Sequence, residues 1–501
     1  MTNILFAASE AVPFIKTGGL ADVVGALPKC FDKENFDVRV ILPKYACMKH
    51  EFKNALKYKT HFYMELAWRS QYVGILEYVL DGITYYFVDN EYYFSGPAPY
   101  GESKWDIEKF AFFSRAVLSS LPSLDWRPDI IHCHDWQSAL IPVYLNDGFQ
   151  NDPFYHGIKT VMTVHNLKFQ GVWGKEILGD IAGLSDYYFT SDKLEAYGGV
   201  NLLKGGIVYA DRITTVSESY AREIQTPFFG EGLDGLMRAR NNVLSGIVNG
   251  IDYSVFSPEN DTDIINYSRE NIPDGKRENK LELQKMLGLK QDGDVMLIGI
   301  VSRLTDQKGF DLIACVLEEI LSCDAVQLVV LGTGEWRYEE MFKNAAARFP
   351  GRVSACICYS DELAHKIYAS SDAFLMPSLF EPCGLSQLIA LKYGTLPIVR
   401  ETGGLKDTVK PYNEFENTGT GFGFANYNAH EMLAAVRYAE KVFYDDRKAW
   451  NEMCVRAHDE DFSWTASAKS YENLYMNLLG VQKEIDTAKP KKINEKKGKK
   501  K

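Results

Sequence analysis

Cysteine is scarce in this chain, and long apolar runs are missing from it. Nine cysteines are spread over 501 residues, and only Cys356 and Cys358 lie close together. A C-x-C pair is neither a redox pattern nor a zinc pattern, so we expect reduced thiols and a cytoplasmic protein. No apolar run approaches the roughly 20 residues that a membrane-spanning helix needs. The first ten residues have neither the basic nor the long apolar region of a secretory signal, and they are predicted to form a strand.

Positive charge is in deficit over most of the chain. The net charge is −12, although Lys489 to Lys501 carry eight lysines and one glutamate. Without these seven positive charges, the rest of the chain stands at −19. A body this acidic is a poor binder of nucleic acid. The lysine-rich tail is predicted to be a disordered, solubilising end, and a tether to an anionic surface is the weaker alternative.

Two ligand-binding patterns are incomplete. Gly332 to Trp336 follow a predicted strand, but Arg337 stands where the last glycine of a G-x-G-x-x-G fingerprint belongs. This excludes a nicotinamide site of that kind. His132 and His134 alternate along another predicted strand, which places both on one face of it. No third ligand accompanies them, so no metal site is predicted.

The most informative stretch runs from Pro377 to Val399. It follows a predicted strand, Ala373 to Met376, and its first turn carries a single acid, Glu381. Cys383 and Gly384 then open a helical pattern of apolar residues. A carboxylate just before the free N–H groups of a helix suits a sugar and its diphosphate, because the acid accepts bonds from hydroxyls while the helix start faces the anion. An ordinary strand–helix turn with a capping acid is the alternative.

A second candidate lies near the N-terminus, where Lys16 precedes Gly18 and Gly19 and a helix is predicted from Ala21 to Leu27. Glycine permits a close approach of the backbone or a positive φ. A cation beside a helix start suits a diphosphate. A Gly-Gly turn with a lysine nearby is common, so this pattern is weak by itself.

A third candidate is the pair Arg303 and Lys308, in a loop that follows a predicted strand, Asp294 to Val301. Two cations held in such a loop can neutralise a leaving diphosphate. Solvated surface charges are the alternative interpretation.

Polar residues also follow two further predicted strands. Asp135 comes after the strand Asp129 to Cys133, and His165 and Asn166 come directly after Lys159 to Val164. Open α/β sheets place ligands at the carboxyl ends of parallel strands, although a lone histidine is more often structural. Strands and helices alternate through both halves of the chain. This alternation predicts an α/β fold with two doubly wound domains.

Three motifs carry a resemblance to a known family: KTGGLADV from Lys16, SRLTDQKG from Ser302 and EPCGL from Glu381. In their order and spacing they resemble the bacterial glycogen synthase and plant starch synthase family, over roughly residues 1 to 480. The resemblance implies the GT-B architecture, in which two Rossmann-like domains face across a deep cleft. It also implies a retaining enzyme that transfers glucose from ADP-glucose to the non-reducing end of an α-1,4-glucan such as glycogen, with no metal or other cofactor.

The resemblance assigns roles residue by residue. It implies that Arg303 and Lys308 hold the diphosphate, that His165 contacts the transferred glucose and that Glu381 orients its hydroxyls. These four are the predicted catalytic residues. The predicted substrate-binding residues are Lys16, Gly18, Gly19, Asp135, Asn166, Asn249, Tyr359, Cys383, Gly384, Leu385, Thr402 and Gly403.

Two of these assignments concern particular surfaces of the substrates. The resemblance makes Tyr359 the candidate for stacking on the adenine. It makes Asp135, with the neighbouring Trp136, part of the acceptor side of the cleft. Thr402 and Gly403 repeat the pattern of the first Thr-Gly-Gly turn and offer a second backbone approach to the phosphates.

Two positions depart from patterns of related glycosyltransferases, and the first of these departures fits the synthase family. Ile389 stands eight residues after Glu381, where many retaining GT-B enzymes hold the ribose with a second glutamate. Isoleucine cannot accept that hydrogen bond, which favours ADP-glucose over UDP-glucose. Ser95 and Gly96 stand where the acceptor loop of the family commonly carries a basic residue, which leaves the acceptor contacts open.

Three interpretations follow. The favoured one is an ADP-glucose-dependent glycogen synthase. The second is a related retaining glycosyltransferase with another nucleotide or acceptor. The third is a non-catalytic glucan-binding protein on the same fold, against which the joint presence of Lys16, Arg303, Lys308 and Glu381 argues, because binding a glucan alone needs no diphosphate grip.

The predicted organisation has four parts. Residues 1–252 form the acceptor-side domain, residues 253–458 the donor-side domain, and residues 459–480 a helix that returns to the first domain. Residues 481–501 form the lysine-rich tail. The expected partners are ADP-glucose and a glucan primer, with no nucleic acid and no membrane. The sequence predicts no oligomeric state.

Overall fold

Two large sheets and one small sheet hold the strands of the computed structural model, which describes residues 1–101, 103–322 and 325–481. From residue 482 onward, the predicted tail lies outside the described residues. The strands in the first half of the chain are β1 (Thr2–Ala7), β2 (Phe36–Pro43), β3 (Lys57–Leu66), β4 (Arg69–Leu80), β5 (Ile83–Asp89), β6 (Ile130–His134), β7 (Lys159–Val164), β8 (Val172–Trp173), β9 (Glu195–Ala196), β10 (Gly199–Asn201), β11 (Arg212–Thr215) and β12 (Leu244–Gly246).

The first large sheet has nine strands in the order β12-β11-β7-β6-β1-β2-β5-β4-β3. The strands from β12 to β5 are parallel, and β4 and β3 continue the sheet as an antiparallel ribbon. The strand order reverses at β1, because β2 lies on one side of it and β6 on the other. The loops after β1 and β6 therefore flank a crevice at the carboxyl end of the sheet.

The predicted hairpin between β4 and β5 is confirmed. Asp81 and Gly82 form its turn, with φ of 53° and 81°. Positive φ at both positions matches the twist of the two antiparallel strands. The remaining strands, β8, β9 and β10, form a small antiparallel sheet of their own.

The second large sheet has six parallel strands in the order β15-β14-β13-β16-β17-β18. This is the strand order of a Rossmann sheet, and it reverses between β13 and β16. Buried parallel strands consist of nearly continuous apolar runs, and such runs predict the strands of this sheet from the sequence. Its strands are β13 (Met296–Val301), β14 (Val326–Leu331), β15 (Val353–Cys356), β16 (Ala373–Met376), β17 (Leu396–Arg400) and β18 (Phe422–Phe424).

Helices alternate with the parallel strands of both large sheets, as a doubly wound fold requires. None of them is long and apolar enough to cross a membrane, within the described ranges. The helices are α1 (Gly19–Ala26), α2 (His50–Ala55), α3 (Glu91–Phe94), α4 (Ser103–Ser120), α5 (Leu140–Asp147), α6 (Ile177–Asp180), α7 (Leu202–Tyr209), α8 (Glu218–Glu223), α9 (Asp234–Ala239), α10 (Ile272–Met286), α11 (Phe310–Ile320), α12 (Trp336–Arg348), α13 (Asp361–Ser370), α14 (Ser386–Lys392), α15 (Gly403–Thr408), α16 (Ala429–Asp445), α17 (Arg447–Asp459) and α18 (Trp464–Leu478).

The helix that follows Glu381 begins later than the sequence predicted. α14 starts at Ser386 rather than at Cys383. Gly384 has φ of 76°, which is outside the helical region, and a Cβ at this position would lie 2.3 Å from Oε1 of Gln387. The segment is therefore a tight turn that only glycine tolerates, and the helix begins behind it.

Two large hydrophobic cores, beside a smaller cluster around Leu297, divide the structure. The first, which defines the first lobe, gathers residues 4–247 together with α18, and the second, which defines the second lobe, gathers residues 251–457. The chain passes between the lobes twice, and the crossings lie side by side. The N–H of Ile251 donates to the carbonyl of Phe462 at 2.8 Å. We expect the paired crossings to serve as a hinge between the lobes.

Candidate active site

The candidate residues meet in the cleft between the two lobes. The loop after β1 faces the segment after β16, since a Cβ at Gly19 would lie 3.8 Å from Cδ1 of Leu385. Nearby, the hydroxyl of Ser217 donates to the carbonyl of Pro382 at 2.6 Å. The points at which the two sheets reverse their strand order therefore open into one cleft. Ligands of open α/β sheets bind at such points.

A cavity of about 170 Å³ lies at the reversal point of the second sheet. Arg303 and Lys308 line it from the loop after β13, and Ser378 and Ser386 line it from the segment after β16. Arg303 is exposed and forms no ion pair with any of the described residues. The cavity thus offers a free guanidinium, an ammonium and hydroxyls to an anion.

An ion pair joins the two loops around this cavity. Nζ of Lys308 lies 2.6 Å from Oε2 of Glu381, and the Ser378 hydroxyl donates to the same oxygen at 3.1 Å. Glu381 is 6% exposed, so its carboxylate is buried, and both of these contacts reach the same oxygen, Oε2. A buried charge requires such partners, because desolvation would otherwise disfavour its ionised form.

The backbones of these two loops are in direct contact. The N–H of Leu379 donates to the carbonyl of Gln307 at 2.9 Å. Gly309 has φ of 77°, and a Cβ there would lie 2.1 Å from the carbonyl oxygen of Pro377. Glycine at this position therefore allows the lysine loop to press against the glutamate turn.

The turn after Glu381 is held in place by a side chain of α14, the helix that follows it. The Gln387 amide donates to the carbonyls of Cys383 and Gly384, both at 2.9 Å. Burial raises the pKa of the Cys383 thiol to about 12, despite a hydrogen bond from the backbone of Asn249 in the first lobe. Cys383 is therefore a neutral thiol and not a nucleophile. Leu385 is half-buried and lies next to Gly19 of the first lobe.

The loop that carries Lys16 is anchored by a residue that the sequence analysis missed. The buried carboxylate of Glu10 accepts hydrogen bonds from the backbone and hydroxyl of Thr17, and from the hydroxyl of Tyr100 at 2.9 Å. Lys16 itself is exposed and pairs with Asp22 at 2.8 Å. Glu10 follows the first parallel strand, so the same strand-end argument that singled out Asp135 would have found it.

The backbone conformation of the two glycines in this loop differs from one part of the prediction. Gly18 is extended, with φ of −156°, and Gly19 is the first residue of α1, so neither has the positive φ that was considered. No atom lies within 4 Å of a Cβ built on Gly18. The open side of the loop leaves room for a ligand to approach its backbone, which stays a prediction.

His165 and Asp135 lie together at the ends of β7 and β6. Oδ1 of Asp135 accepts from the backbone N–H of His165 at 2.7 Å, and Nε2 of His165 lies 3.0 Å from Nδ1 of His134. Burial lowers the pKa of His165 to about 3 and raises that of Asp135 to about 7. Asp135 has φ of 54°, a strained conformation of the kind that clusters at functional sites. The side chain of Asn166 accepts from the N–H of Lys168 at 3.1 Å.

His132, which alternates with His134 along β6, has a separate set of hydrogen-bond partners. Its ring nitrogens lie 2.6 Å from the Tyr475 hydroxyl and 2.5 Å from the Thr163 hydroxyl. Tyr475 belongs to α18, so His132 links the last helix to the first sheet. Its two hydrogen bonds leave its ring without a free nitrogen.

Thr402 and Gly403 are engaged across the cleft. The Thr402 hydroxyl and the N–H of Gly403 donate to Oε1 of Glu223, at 3.1 Å and 2.9 Å. In this arrangement the hydrogen-bond donors of this turn bind a carboxylate of the first lobe, that of Glu223. Sequence reasoning missed Glu223, because nothing local distinguishes it from Glu218, the other acid of α8.

The remaining predicted residues lie on the edges of the cleft. Asn249 is 6% exposed, and its Oδ1 has no hydrogen-bond partner in the part of the chain that the structure describes. Tyr359 is 78% exposed and donates to Asp361 at 2.7 Å, so its ring face is open for stacking. Beside Trp136, a second cavity of about 440 Å³ is lined by Phe169 and by polar groups of its neighbours.

Two family descriptions match the chain in sequence order. Residues 3–239 match the family described as Starch synthase catalytic domain. Residues 284–452 match the family described as Glycosyl transferases group 1. The two matches fall on opposite sides of the cleft.

Relatives somewhat shorter than this chain cover both parts. The glycogen synthase of Lachnospira eligens is 63% identical over 479 residues, which are 95% of this chain and 100% of that protein. The glycogen synthase of Clostridium acetobutylicum is 51% identical over 478 residues, with 95% and 100% covered.

Solved structures agree. The catalytic domain of starch synthase IV from Arabidopsis thaliana, bound to ADP and acarbose, has a TM-score of 0.87 and 32% identity, covering 96% of this chain and 99% of that chain. A sucrose-phosphate synthase from Thermosynechococcus elongatus, with 15% identity and a TM-score of 0.59 over 96% of this chain and 100% of that chain, shares the fold alone. The predicted GT-B fold is confirmed, and the chain belongs to the glycogen synthase and starch synthase family of glycosyltransferases.

Proposed function

We propose that this enzyme transfers glucose from ADP-glucose to the non-reducing end of an α-1,4-glucan, with retention of the anomeric configuration. The observation that carries this proposal is the cavity lined by Arg303 and Lys308, directly beside the buried carboxylate of Glu381. Two cations suit the diphosphate of a nucleotide sugar, and an adjacent carboxylate suits the hydroxyls of its sugar.

The cations stabilise the leaving group. As the bond between the anomeric carbon and the diphosphate breaks, negative charge develops on the departing phosphate oxygen. Arg303 and Lys308 face that charge from the second lobe, and Lys16 faces it from the first. Fixed cations in a water-poor cleft stabilise such charge strongly, so the charge is met by the chain itself and no metal or other cofactor is proposed.

The sugar is held by groups from both lobes. His165 and Glu381 contact the glucosyl group, and Glu381 also favours the positive charge that develops at the anomeric carbon. The 4-hydroxyl of the acceptor forms the new bond on the face that the diphosphate leaves, and the departing phosphate oxygen takes the hydroxyl proton. No protein side chain is proposed as a covalent nucleophile.

The acceptor glucan is proposed to enter beside Asp135 and Trp136. The cavity of about 440 Å³ at Trp136 has an exposed aromatic ring, Phe169, and polar neighbours. Flat apolar faces next to hydrogen-bonding groups suit the two kinds of surface that a sugar ring presents.

ADP-glucose is proposed over UDP-glucose as the donor. Ile389 is 6% exposed and packs in the second core, so the place of a ribose-binding glutamate is apolar. The related starch synthase IV was solved with ADP. Tyr359 is the proposed adenine contact, and Gly18, Gly19, Asn166, Asn249, Cys383, Gly384, Leu385, Thr402 and Gly403 are proposed to complete the donor site.

The organisation of the chain is part of the same proposal. The two cores support an acceptor-side domain of residues 1–252 and a donor-side domain of residues 253–458, with the helix in residues 459–480 returning to the first. A cytoplasmic location is proposed from eight free cysteines among the described residues.

Nucleotide release tests the proposal. ADP-glucose and UDP-glucose are compared with a glycogen primer and a chelator. We expect primer-dependent release of ADP and little release of UDP. Preferred release of UDP would support a relative with another donor. Release of neither nucleotide by folded protein that still binds glycogen would support a glucan-binding protein instead.

A further inference from the structure

His134 ends β6, and its imidazole is enclosed by two other rings. Its ring centroid lies 4.3 Å from that of His132 and 5.2 Å from that of Phe6. Its Nδ1 lies 3.0 Å from Nε2 of His165. Its own Nε2 is buried and has no hydrogen-bond partner among residues 1–101, 103–322 and 325–481. The contact with His165 is therefore the one polar contact that the His134 ring makes within these ranges.

Both rings are neutral, because burial holds the pKa of His134 and that of His165 well below the usual value. A neutral imidazole carries one N–H, so a single proton lies between the two rings. If His165 donated it, His134 would carry its own N–H on Nε2, as a buried donor without a partner. In folded proteins, a buried N–H group without a partner is rarer than a buried acceptor without one. His134 therefore carries its proton on Nδ1 and donates it.

The position of the proton on His134 determines the tautomer of His165. Its Nε2 accepts from His134, so its own proton must lie on Nδ1. His165 is half-buried, and its Nδ1 makes no hydrogen bond within the described ranges and is not among the buried polar atoms. The cleft-facing nitrogen is thus an N–H donor, suited to an oxygen lone pair.

We propose that His134 is a positioning residue that fixes the tautomer of His165, so that His165 presents an N–H from Nδ1 to a sugar oxygen of the bound donor. The identity of that oxygen rests on the proposed function, whereas the tautomer does not. The backbone supports the arrangement. The His134 N–H donates to the Ser138 hydroxyl at 2.7 Å, and the His165 N–H donates to Asp135 at 2.7 Å.

Nitrogen NMR of the full chain, labelled with ¹⁵N in its histidine rings, tests the tautomer without substrate. The His165 signals are assigned by their loss in the H165Q variant. We expect a pyrrole-type shift for Nδ1 of His165 and a pyridine-type shift for Nε2. The reverse pattern at His165 would overturn the proposal, whatever the enzyme transfers.

Two variants test the consequence for catalysis. H134N keeps an amide N–H near the place of Nδ1, whereas H134F keeps a ring and removes the donor. We expect H134F to lower kcat by about tenfold or more, as loss of an outer partner does at other sites, and H134N to restore most of it. The KM for the glycogen primer should change little in both.

A matched control is His132, an equally buried ring that touches His134 but bonds Tyr475 and Thr163. We expect H132Q to leave the nitrogen shifts of His165 in place. If H134F does not fold, the spectrum of the unmodified protein and the rate of H134N still decide. Equal kcat for H134F and the unmodified enzyme would overturn the proposal, as would a His165 tautomer that is unchanged in H134F.

Discussion

At the scale of single residues, the ion pair between Lys308 and Glu381 is the centre of the site. Both side chains are mostly buried, with 18% and 8% of their surface exposed. A buried ion pair is weak evidence for stability, because desolvation offsets much of the attraction. The pair lies beside Arg303 and the cavity of about 170 Å³, which fits a role in substrate binding and catalysis. We expect a bound diphosphate to become a second anionic partner of Lys308, beside Glu381.

Replacing Lys308 by alanine should therefore disable transfer. The K308A variant loses a cation that faces the leaving phosphate, so we expect kcat for ADP release to fall by about 10² or more, the cost of removing one donor from comparable charge-stabilising sites. Circular dichroism and a thermal melt check that the fold is kept. A well-folded variant with unchanged ADP release would remove Lys308 from the mechanism.

Lys343 provides the matched control. It also pairs with a glutamate, Glu340 at 2.9 Å, but on the exposed surface of α12. We expect K343A to keep the rate of the unmodified enzyme. A similar loss in both variants would mean that the effect of K308A is not specific to the cleft.

At the scale of elements, the site depends on turns that hold two loops against each other. The loop after β13 contacts the segment after β16 through Leu379 and Gln307, and Gly309 lies at the closest approach. Because Gly309 takes a positive φ against a backbone carbonyl, no other residue fits without moving one of the loops.

Substituting Gly309 tests this packing. The G309A variant adds a Cβ at 2.1 Å from the carbonyl oxygen of Pro377, so the lysine loop must move away from Glu381. We expect kcat/KM for ADP-glucose to fall by about tenfold or more, because small displacements of catalytic groups are costly. Steady-state kinetics and the melting temperature are measured together.

A control substitution at Gly288 separates the effect of backbone strain from the effect of a steric clash. It also has a positive φ, of 68°, but no atom lies within 4 Å of a Cβ built there. G288A should therefore show the conformational cost alone, about 1 to 3 kcal/mol of strain, with full activity. If G309A and G288A have the same activity, contact between the loops does not matter for catalysis.

The same elements show what the sequence can and cannot reveal. The apolar runs of β7 and β16 predicted both strands with their observed limits, and the polar residues behind them fall in the cleft. The start of α14 was misplaced, because a positive φ at Gly384 overrides the apolar periodicity. The contact between Glu223 and Gly403 joins residues of different lobes, and no local pattern encodes such a pair.

At the scale of the whole molecule, the arrangement of lobes matters as much as the residues. Each sheet reverses its strand order beside the cleft, so residues from both halves of the chain face the same cleft. Contacts across the cleft keep the lobes together, among them the bond from the Ser219 hydroxyl to Asp407 at 2.5 Å. We propose that closure of the lobes over a bound donor assembles the donor site and excludes water that would hydrolyse the donor.

The central claim is that cations from both lobes act on one diphosphate, and a double-mutant cycle tests it most directly. The measurement is kcat/KM for ADP-glucose, at fixed primer, in K16A, R303A and the double variant. We predict that each single change lowers kcat/KM by about tenfold or more, and that the double change differs from their product, with a coupling of about 0.5 to 3 kcal/mol. A K16A variant with unaltered kcat/KM, or losses that multiply without coupling, would contradict a site shared between the lobes.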